Sequence, residues 1–362
     1  MNPKTIHHGP ALDILKTFDD DSIDALVTDP PYGYSFMNKD WDKAVIGVET
    51  WAECLRVLKP GSFACVMSSP RQDVLAMMVV NLQEAGFRTD FTSLYWTYAS
   101  GFPKAANISK LVHKRGLGEQ LEGSYAGFQP KPAVEVVLMV MKPLKEKTFV
   151  DQALTNGKGV TWLDDCRLPF QDDNDIEKSK VGHVGKLKFD GTKYAGDSYS
   201  LNMVSTQEIN HKGRFPANIL VEDSVLNNHS KFFDLDKWFE ITFPFIITPK
   251  PSSSEKNRGL EQFDRRDMYA EKRTGNSLDC FSHHPNPQKH GMPRQNFHPT
   301  CKPIKLFSYL ISLVSRPGDV VLDPFIGSGT TAIAAKLLNR NWVGCETNRE
   351  YIQIAEQRIQ GY

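Results

Sequence analysis

Two blocks of this chain alternate short apolar runs with helix-spaced stretches, and that alternation narrows the fold more than any other feature. In the first block, Ala11 to Phe18 reads as a short helix and Ile23 to Thr28 as a strand. Glu49 to Leu58 is a helix that ends at Lys59-Pro60-Gly61, Phe63 to Met67 a strand, and Val74 to Ala85 a helix stopped by Gly86. Phe91 to Tyr98 and Val134 to Met141 are two further strands. In the last block, an amphipathic helix over Lys305 to Ser315 turns at Pro317-Gly318-Asp319 into the strand Val320-Val321-Leu322. A helix over Thr330 to Leu338, a strand over Trp342 to Cys345 and a helix over Tyr351 to Ile359 follow. Such alternation predicts an α/β fold with parallel strands and helices on both faces of the sheet.

From about Leu144 to Asn296 the alternation breaks down. "QDDNDIEKSKVGHVGKLKFDGTKYAGDSYS" is polar and Gly-rich, and "PKPSSSEKNRG" and "HHPNPQKHGMPRQN" are loop-like. Only short apolar pieces interrupt them, Asn218 to Val221 and Phe239 to Thr248. The chain therefore divides into a first part (1–143), an insertion of loops and short elements (144–296) and a last part (297–362), with no internal repeat. Its 362 residues, 40% apolar and 24% charged, suffice for one large domain or two ordinary ones.

No apolar run approaches the ~20 residues that cross a bilayer, and "MNPKTIHHGP" lacks the apolar core of a signal peptide. A cytoplasmic protein without membrane contact is expected. Net charge is zero but uneven: residues 1–60 carry six Lys/Arg against ten Asp/Glu, residues 250–316 twelve against six. That asymmetry suggests a face that meets a polyanion. The six cysteines are scattered with no C-x-x-C pair and read as reduced, buried thiols. Cys280-x-x-His283-His284 has the opening of a zinc site, but no second ligand pair follows clearly, so no metal is expected.

Two stretches carry chemistry. The strand ending at Thr28 runs into Asp29-Pro30-Pro31-Tyr32. Neither proline can donate to a sheet ladder, so the pair fixes extended backbone where the sheet ends. In open α/β sheets that place, beyond the strand carboxyl ends, is where ligands bind. The second stretch, "VVLDPFIGSGTTAIAAKLL", is a strand, a Gly-rich turn and a helix. Gly327 and Gly329 permit a tight turn and close approach to a nucleotide-like cofactor, and Thr330 and Thr331 are placed to cap the helix. No Lys follows the turn, which disfavours a P-loop. Glu346 ends the next apolar strand, 17 positions after Gly329, where an acid can accept from both hydroxyls of a ribose.

Together these stretches resemble the DNA amino-methyltransferases that use S-adenosylmethionine. The family's catalytic signature is an acid or related polar residue, Pro-Pro, then an aromatic, here Asp29, Pro30, Pro31 and Tyr32. Its cofactor signature, Phe-x-Gly-x-Gly, is Phe325-Ile326-Gly327-Ser328-Gly329, and "HPTCKP" (His298 to Pro303) looks like the element that precedes it. The resemblance assigns to the cofactor Asp323, Pro324, Phe325, Gly327, Ser328, Gly329, Thr330, Thr331 and Glu346, with Thr300 and Lys302. The order of catalytic motif, insertion and cofactor motif is similar to the permuted group called beta, in which the insertion is the target recognition region. Pieces such as "GFPKAANISK" and "GRFPANIL" look like those of phage and bacterial members. The resemblance thus implies a Rossmann-like methyltransferase sheet with an inserted recognition region. One departure is Gly9-Pro10, where members commonly have Gly-Asp and the acid meets the cofactor adenine. Either Asp13 substitutes or packing holds the adenine.

The implied activity is methyl transfer to an exocyclic amine of a base in double-stranded DNA. The base must leave the stack to be reached. Tyr32 is then expected on one of its faces, with Trp96, Tyr98 and Phe102 as candidates for the opposite wall. An acid at the first position of the motif points to adenine N6; cytosine-specific members tend toward Ser, and cytosine N4 is the alternative. In the insertion, Arg265, Arg266, Lys272, Arg273 and Arg294 are candidates for phosphate or guanine contacts. A DNA-binding protein that has lost transfer is a competing reading, against which the intact motifs argue. A nicotinamide-dependent dehydrogenase is disfavoured by the missing third glycine and by Pro-Pro-Tyr. A monomer or homodimer, alone or with a separate restriction nuclease, fits the sequence.

Overall fold

The computed structural model describes residues 2–33, 44–98, 105–116, 121–128, 130, 133–181, 212–221, 234–242, 253–263, 295–296, 298 and 301–362. In chain order the elements are β1 (Thr5–His8), α1 (Ala11–Leu15), β2 (Ala25–Thr28), α2 (Val48–Val57), β3 (Phe63–Ser68), α3 (Gln72–Glu84), β4 (Leu94–Thr97), α4 (Ile108–Lys114) and β5 (Val134–Met141). Then come α5 (Phe149–Asn156), α6 (Asp173–Val181), β6 (Ile219–Val221), α7 (Leu235–Thr242), α8 (Ser253–Asn257), α9 (Ile304–Val314), β7 (Val320–Asp323), α10 (Thr330–Leu337), β8 (Asn341–Glu346) and α11 (Arg349–Gln360).

The strands form one sheet in the order β1-β8-β7-β2-β3-β5-β4-β6. Because side chains alternate along a strand, each strand feeds two cores. Ala25, Val27, Cys65, Met67, Val137 and Met139 pack with α7, α9 and α10 on one face. Leu26, Ala64, Val66, Val136 and Leu138 pack with α1, α2 and α3 on the other. The α/β class with helices on both faces is therefore as the sequence indicates.

The sheet is mixed, not parallel throughout. β5 runs antiparallel to both β3 and β4. A parallel neighbour needs a packed crossover. α3 supplies one between β3 and β4, but α4, between β4 and β5, buries no residue. The chain therefore turns back, and β5 fills the gap between β3 and β4. The helix expected to be amphipathic, α9, is buried along its whole length. Its polar positions Lys305, Ser308 and Ser312 are buried with the apolar ones, and Lys305 pairs with Asp236 of α7, so every side needs cover. The insertion provides it: α7 and the turn at 163–166 lie on α9, with Trp238 edge-on to Tyr309 at 4.9 Å and the Tyr309 hydroxyl donating to the Cys166 carbonyl at 3.4 Å. The insertion also gives the sheet β6, parallel to β4.

β2 and β7 are parallel neighbours. From β2 the chain leaves through α2 toward β3; from β7 it leaves through α10 toward β8. Two crossovers departing in opposite directions open a crevice at the strand ends. Asp29 follows β2 and the Gly-rich turn follows β7, so both motifs meet at that crevice.

Candidate active site

A cavity of about 310 Å³ occupies the crevice. On its β2 side, Asp29 directly follows the strand and lines the cavity. One of its oxygens accepts from the Tyr32 hydroxyl at 2.7 Å, and the other pairs with the Lys302 ammonium. Lys302 precedes α9 and lies 3.4 Å from Glu135 at the start of β5. The Tyr32 hydroxyl also donates to Glu135 at 3.2 Å. Two carboxylates thus share one ammonium and one hydroxyl. Burial opposes the Lys302 charge, but the two carboxylates outweigh it and raise its pKa. Burial likewise raises Glu135, with Lys302 opposing and Asp29 adding to the rise. Burial, then Asp29 and Glu135, hold the Tyr32 hydroxyl protonated.

On the β7 side, Asp323 ends the strand at 3% exposure. It accepts from the Thr28 hydroxyl at 2.6 Å, the Phe325 amide at 3.0 Å and the Thr331 hydroxyl. Burial nevertheless raises its pKa to about 6 against these bonds. Asp323 therefore ties β2, β7 and α10 into one corner. Gly327 (φ 49) and Gly329 (φ 83) both occupy left-handed backbone. A Cβ at Gly327 would lie 2.7 Å from His298 Nε2, and one at Gly344 would lie 2.8 Å from the Ile326 Cβ. Glu346 lines the cavity and accepts from the Gly327 amide at 3.1 Å and the Asn348 amide at 2.8 Å. Burial raises its pKa, against those amide bonds. Burial, then Arg358 and Lys302, push the His298 imidazole down to about 3, so it carries no charge at neutral pH.

Asp29, Pro30, Pro31, Tyr32, Asp323, Pro324, Phe325, Gly327, Ser328, Thr330, Thr331, Glu346 and Lys302 all line this one cavity. Several have tasks the sequence did not indicate. The threonines do not cap α10: its N-cap is Gly329, without a side-chain bond, while Thr331 donates to Asp323 and Thr330 to the Lys302 carbonyl at 3.4 Å. Lys302, assigned by resemblance to the cofactor, sets its ammonium between the carboxylates of Asp29 and Glu135. Ser328 is held by Arg358, whose guanidinium donates to its hydroxyl at 3.0 Å. Tyr98 lines the cavity, with burial and Glu135 pushing its hydroxyl up to about 12. Trp96 instead sits in the core, 4.9 Å from the Tyr98 ring. Gly9 and Ala11 line the cavity, whereas Asp13 is exposed on α1 and is not a lining residue.

Thr300, Phe102, Arg265, Arg266, Lys272, Arg273 and Arg294 lie outside the described residues, as do Cys280, His283 and His284. Sequence reasoning missed Glu135 and His298 as site residues. The signal for Glu135 was present: an acid opening an otherwise apolar eight-residue strand.

A family model described as DNA methylase (N6_N4_Mtase) matches residues 23–357. The chain belongs to this family of S-adenosylmethionine-dependent DNA amino-methyltransferases. It is 48% identical over 62 residues to the Type II methyltransferase M.HpaI of Haemophilus parainfluenzae, covering 17% of this chain and 20% of that protein. It is 50% identical over 62 residues to M.HinfI of Haemophilus influenzae, covering 17% of each. The matched stretch thus spans about a fifth of the length of these curated relatives. The solved structure of the cytosine-N4-specific PvuII DNA methyltransferase aligns over 99% of this chain and 86% of its own, at 16% identity and a TM-score of 0.47.

The family's cofactor fits the residues present. Glu346 accepts from two amides and, at 3.5 Å, from the Thr347 hydroxyl, which leaves acceptor capacity for a ribose hydroxyl. Phe325, Ile326 and Ala11 offer apolar lining for a purine. His298 is neutral and Lys302 is matched by carboxylates, so neither repels a sulfonium. Among the described residues no helix is long and apolar enough to cross a membrane.

Proposed function

We propose that the protein is a site-specific DNA methyltransferase acting on the N6 amine of adenine, flipped out of double-stranded DNA. The observation that carries this reading is the shared cavity: Asp29 and Glu346 face one space at the β2–β7 crevice. The cofactor supplies an activated methyl group on a sulfonium.

The protein's task is to make the amine a nucleophile. An exocyclic amine gives its lone pair to the aromatic ring. Asp29 accepts one of its N–H bonds and the Pro30 carbonyl, which proline retains, accepts the other. Two fixed acceptors draw the nitrogen toward tetrahedral geometry and free the lone pair for in-line attack. Lys302 holds Asp29 in place through their ion pair. No covalent enzyme intermediate is needed, and positioning supplies several kcal/mol. Tyr32 stacks on the flipped base and Tyr98 contributes to the opposite wall. Glu346 holds the ribose, and the insertion reads the DNA.

The test is single-molecule sequencing with modification detection on DNA from a methylation-deficient host that expresses this chain. The expected result is N6-methyladenine in one sequence context. N4-methylcytosine would keep the mechanism and overturn the choice of base. No mark, from folded protein that binds cofactor, would overturn the activity.

A further inference from the structure

Adenine and cytosine differ in one respect along the edge they present to a pocket. Both offer an exocyclic amine that donates, then a ring nitrogen that accepts. At the third position adenine has a C–H and cytosine a carbonyl oxygen.

The cavity wall carries a matching row. Asp29 accepts, Lys302 donates and Glu135 accepts, with the Lys302 ammonium paired to Asp29 and 3.4 Å from Glu135. Glu135 stands two residues before Val137 on the α9 face of β5, and Asp29, just past the end of β2, is brought beside it by Lys302 and the Tyr32 hydroxyl. Lys302 enters from the segment leading into α9. The Tyr32 hydroxyl reaches both carboxylates, at 2.7 and 3.2 Å, and locks the row from the side. Nothing in the mechanism above uses Glu135.

We propose that Glu135 determines base choice: its carboxylate accepts the C–H edge of adenine and repels the carbonyl oxygen of cytosine, while Lys302 donates to the ring nitrogen. This rests on the reading that the target amine seats against Asp29. A carbonyl set against a buried carboxylate leaves two acceptors facing each other with no proton between them. Sites with such unmatched polar groups reject a wrong substrate by orders of magnitude.

The experiment uses duplex oligonucleotides carrying the context found by sequencing, with adenine, cytosine or 2,6-diaminopurine at the target position. Transfer is measured with radiolabelled cofactor for wild type, Glu135→Gln and Glu135→Leu. Diaminopurine adds an amine at the third position that can donate to Glu135. Wild type is expected to prefer diaminopurine over adenine in KM and adenine over cytosine by about a hundredfold or more. In Glu135→Gln the side-chain amide can donate to the cytosine carbonyl, so the cytosine-to-adenine ratio rises about tenfold or more. In Glu135→Leu the diaminopurine preference disappears; should that variant fail to fold, Glu135→Gln carries the test. Unchanged ratios in a folded variant, with adenine the base marked in cells, overturn the role of Glu135 and leave the adenine reading standing. A wild type that marks cytosine in cells overturns both.

Discussion

Asp29 meets a hydroxyl on one oxygen and an ammonium on the other, and those two partners separate its roles experimentally. In Asp29→Ala, Lys302 keeps Glu135 as its counter-charge, so the pocket remains assembled while the acceptor for the amine is gone. Transfer is expected to fall about a thousandfold or more, the scale of losing a group that acts on developing charge. Cofactor affinity by calorimetry should stay at the wild-type value. The converse holds for Glu346→Ala, where a charged acceptor for hydroxyls is lost. Cofactor binding should weaken by about 2 kcal/mol, or some thirtyfold. Unchanged affinity would remove Glu346 from the ribose.

At the scale of elements, the Gly-rich turn after β7 is shaped by a strand it does not belong to. Gly344 in β8 leaves room for Ile326, whose amide donates to the Cys345 carbonyl at 3.1 Å. A methyl group at 344 would meet the Ile326 Cβ and Cδ1, not merely the tip of a flexible chain. Gly344→Ala should therefore push Ile326 and Gly327 into the cavity and weaken cofactor binding about tenfold without unfolding the protein, as read by calorimetry beside a circular dichroism melt.

The same scale shows what the sequence could and could not convey. Strands and helices with an apolar face were legible, since period and burial are the same information. β1 was not, because "TIHH" is four residues with no alternation. The antiparallel course of β5 was hidden because it depends on α4 failing to pack, which no local pattern reports. Asp29 and Glu346 were legible from their places after apolar strands. Lys302 and Glu135 were not legible as a pair, because their meeting depends on which face of the sheet each element covers.

Across the whole molecule, two buried acids pull stability in opposite directions as pH changes. Asp24, at the far end of the strands from the cavity, pairs with Lys59 at 2.6 Å and Lys158 at 2.9 Å and accepts from the Val320 amide at 2.9 Å. Burial raises its pKa, but these bonds outweigh burial and lower it overall. Its stabilisation is therefore present above the ordinary Asp range and lost as pH falls through it. Asp323 has the opposite sign. Its folded-state pKa of about 6 means that stability falls as pH rises from about 4 to about 6, by about 3 kcal/mol for a two-unit shift. Urea midpoints measured against pH should show both. Asp323→Asn should flatten the decline between pH 4 and 6. Asp24→Asn should cost about 3 kcal/mol at neutral pH, with the difference from wild type closing below pH 4.

The bond from Thr28 to Asp323 joins residues 295 apart in the chain. A ribosome therefore delivers Asp29 long before the turn that completes its pocket. Until β7 slides in beside β2, the emerging polypeptide has one wall of a crevice and nothing for it to face. The cavity does not accumulate as the chain grows; it needs both β2 and β7 in place, side by side.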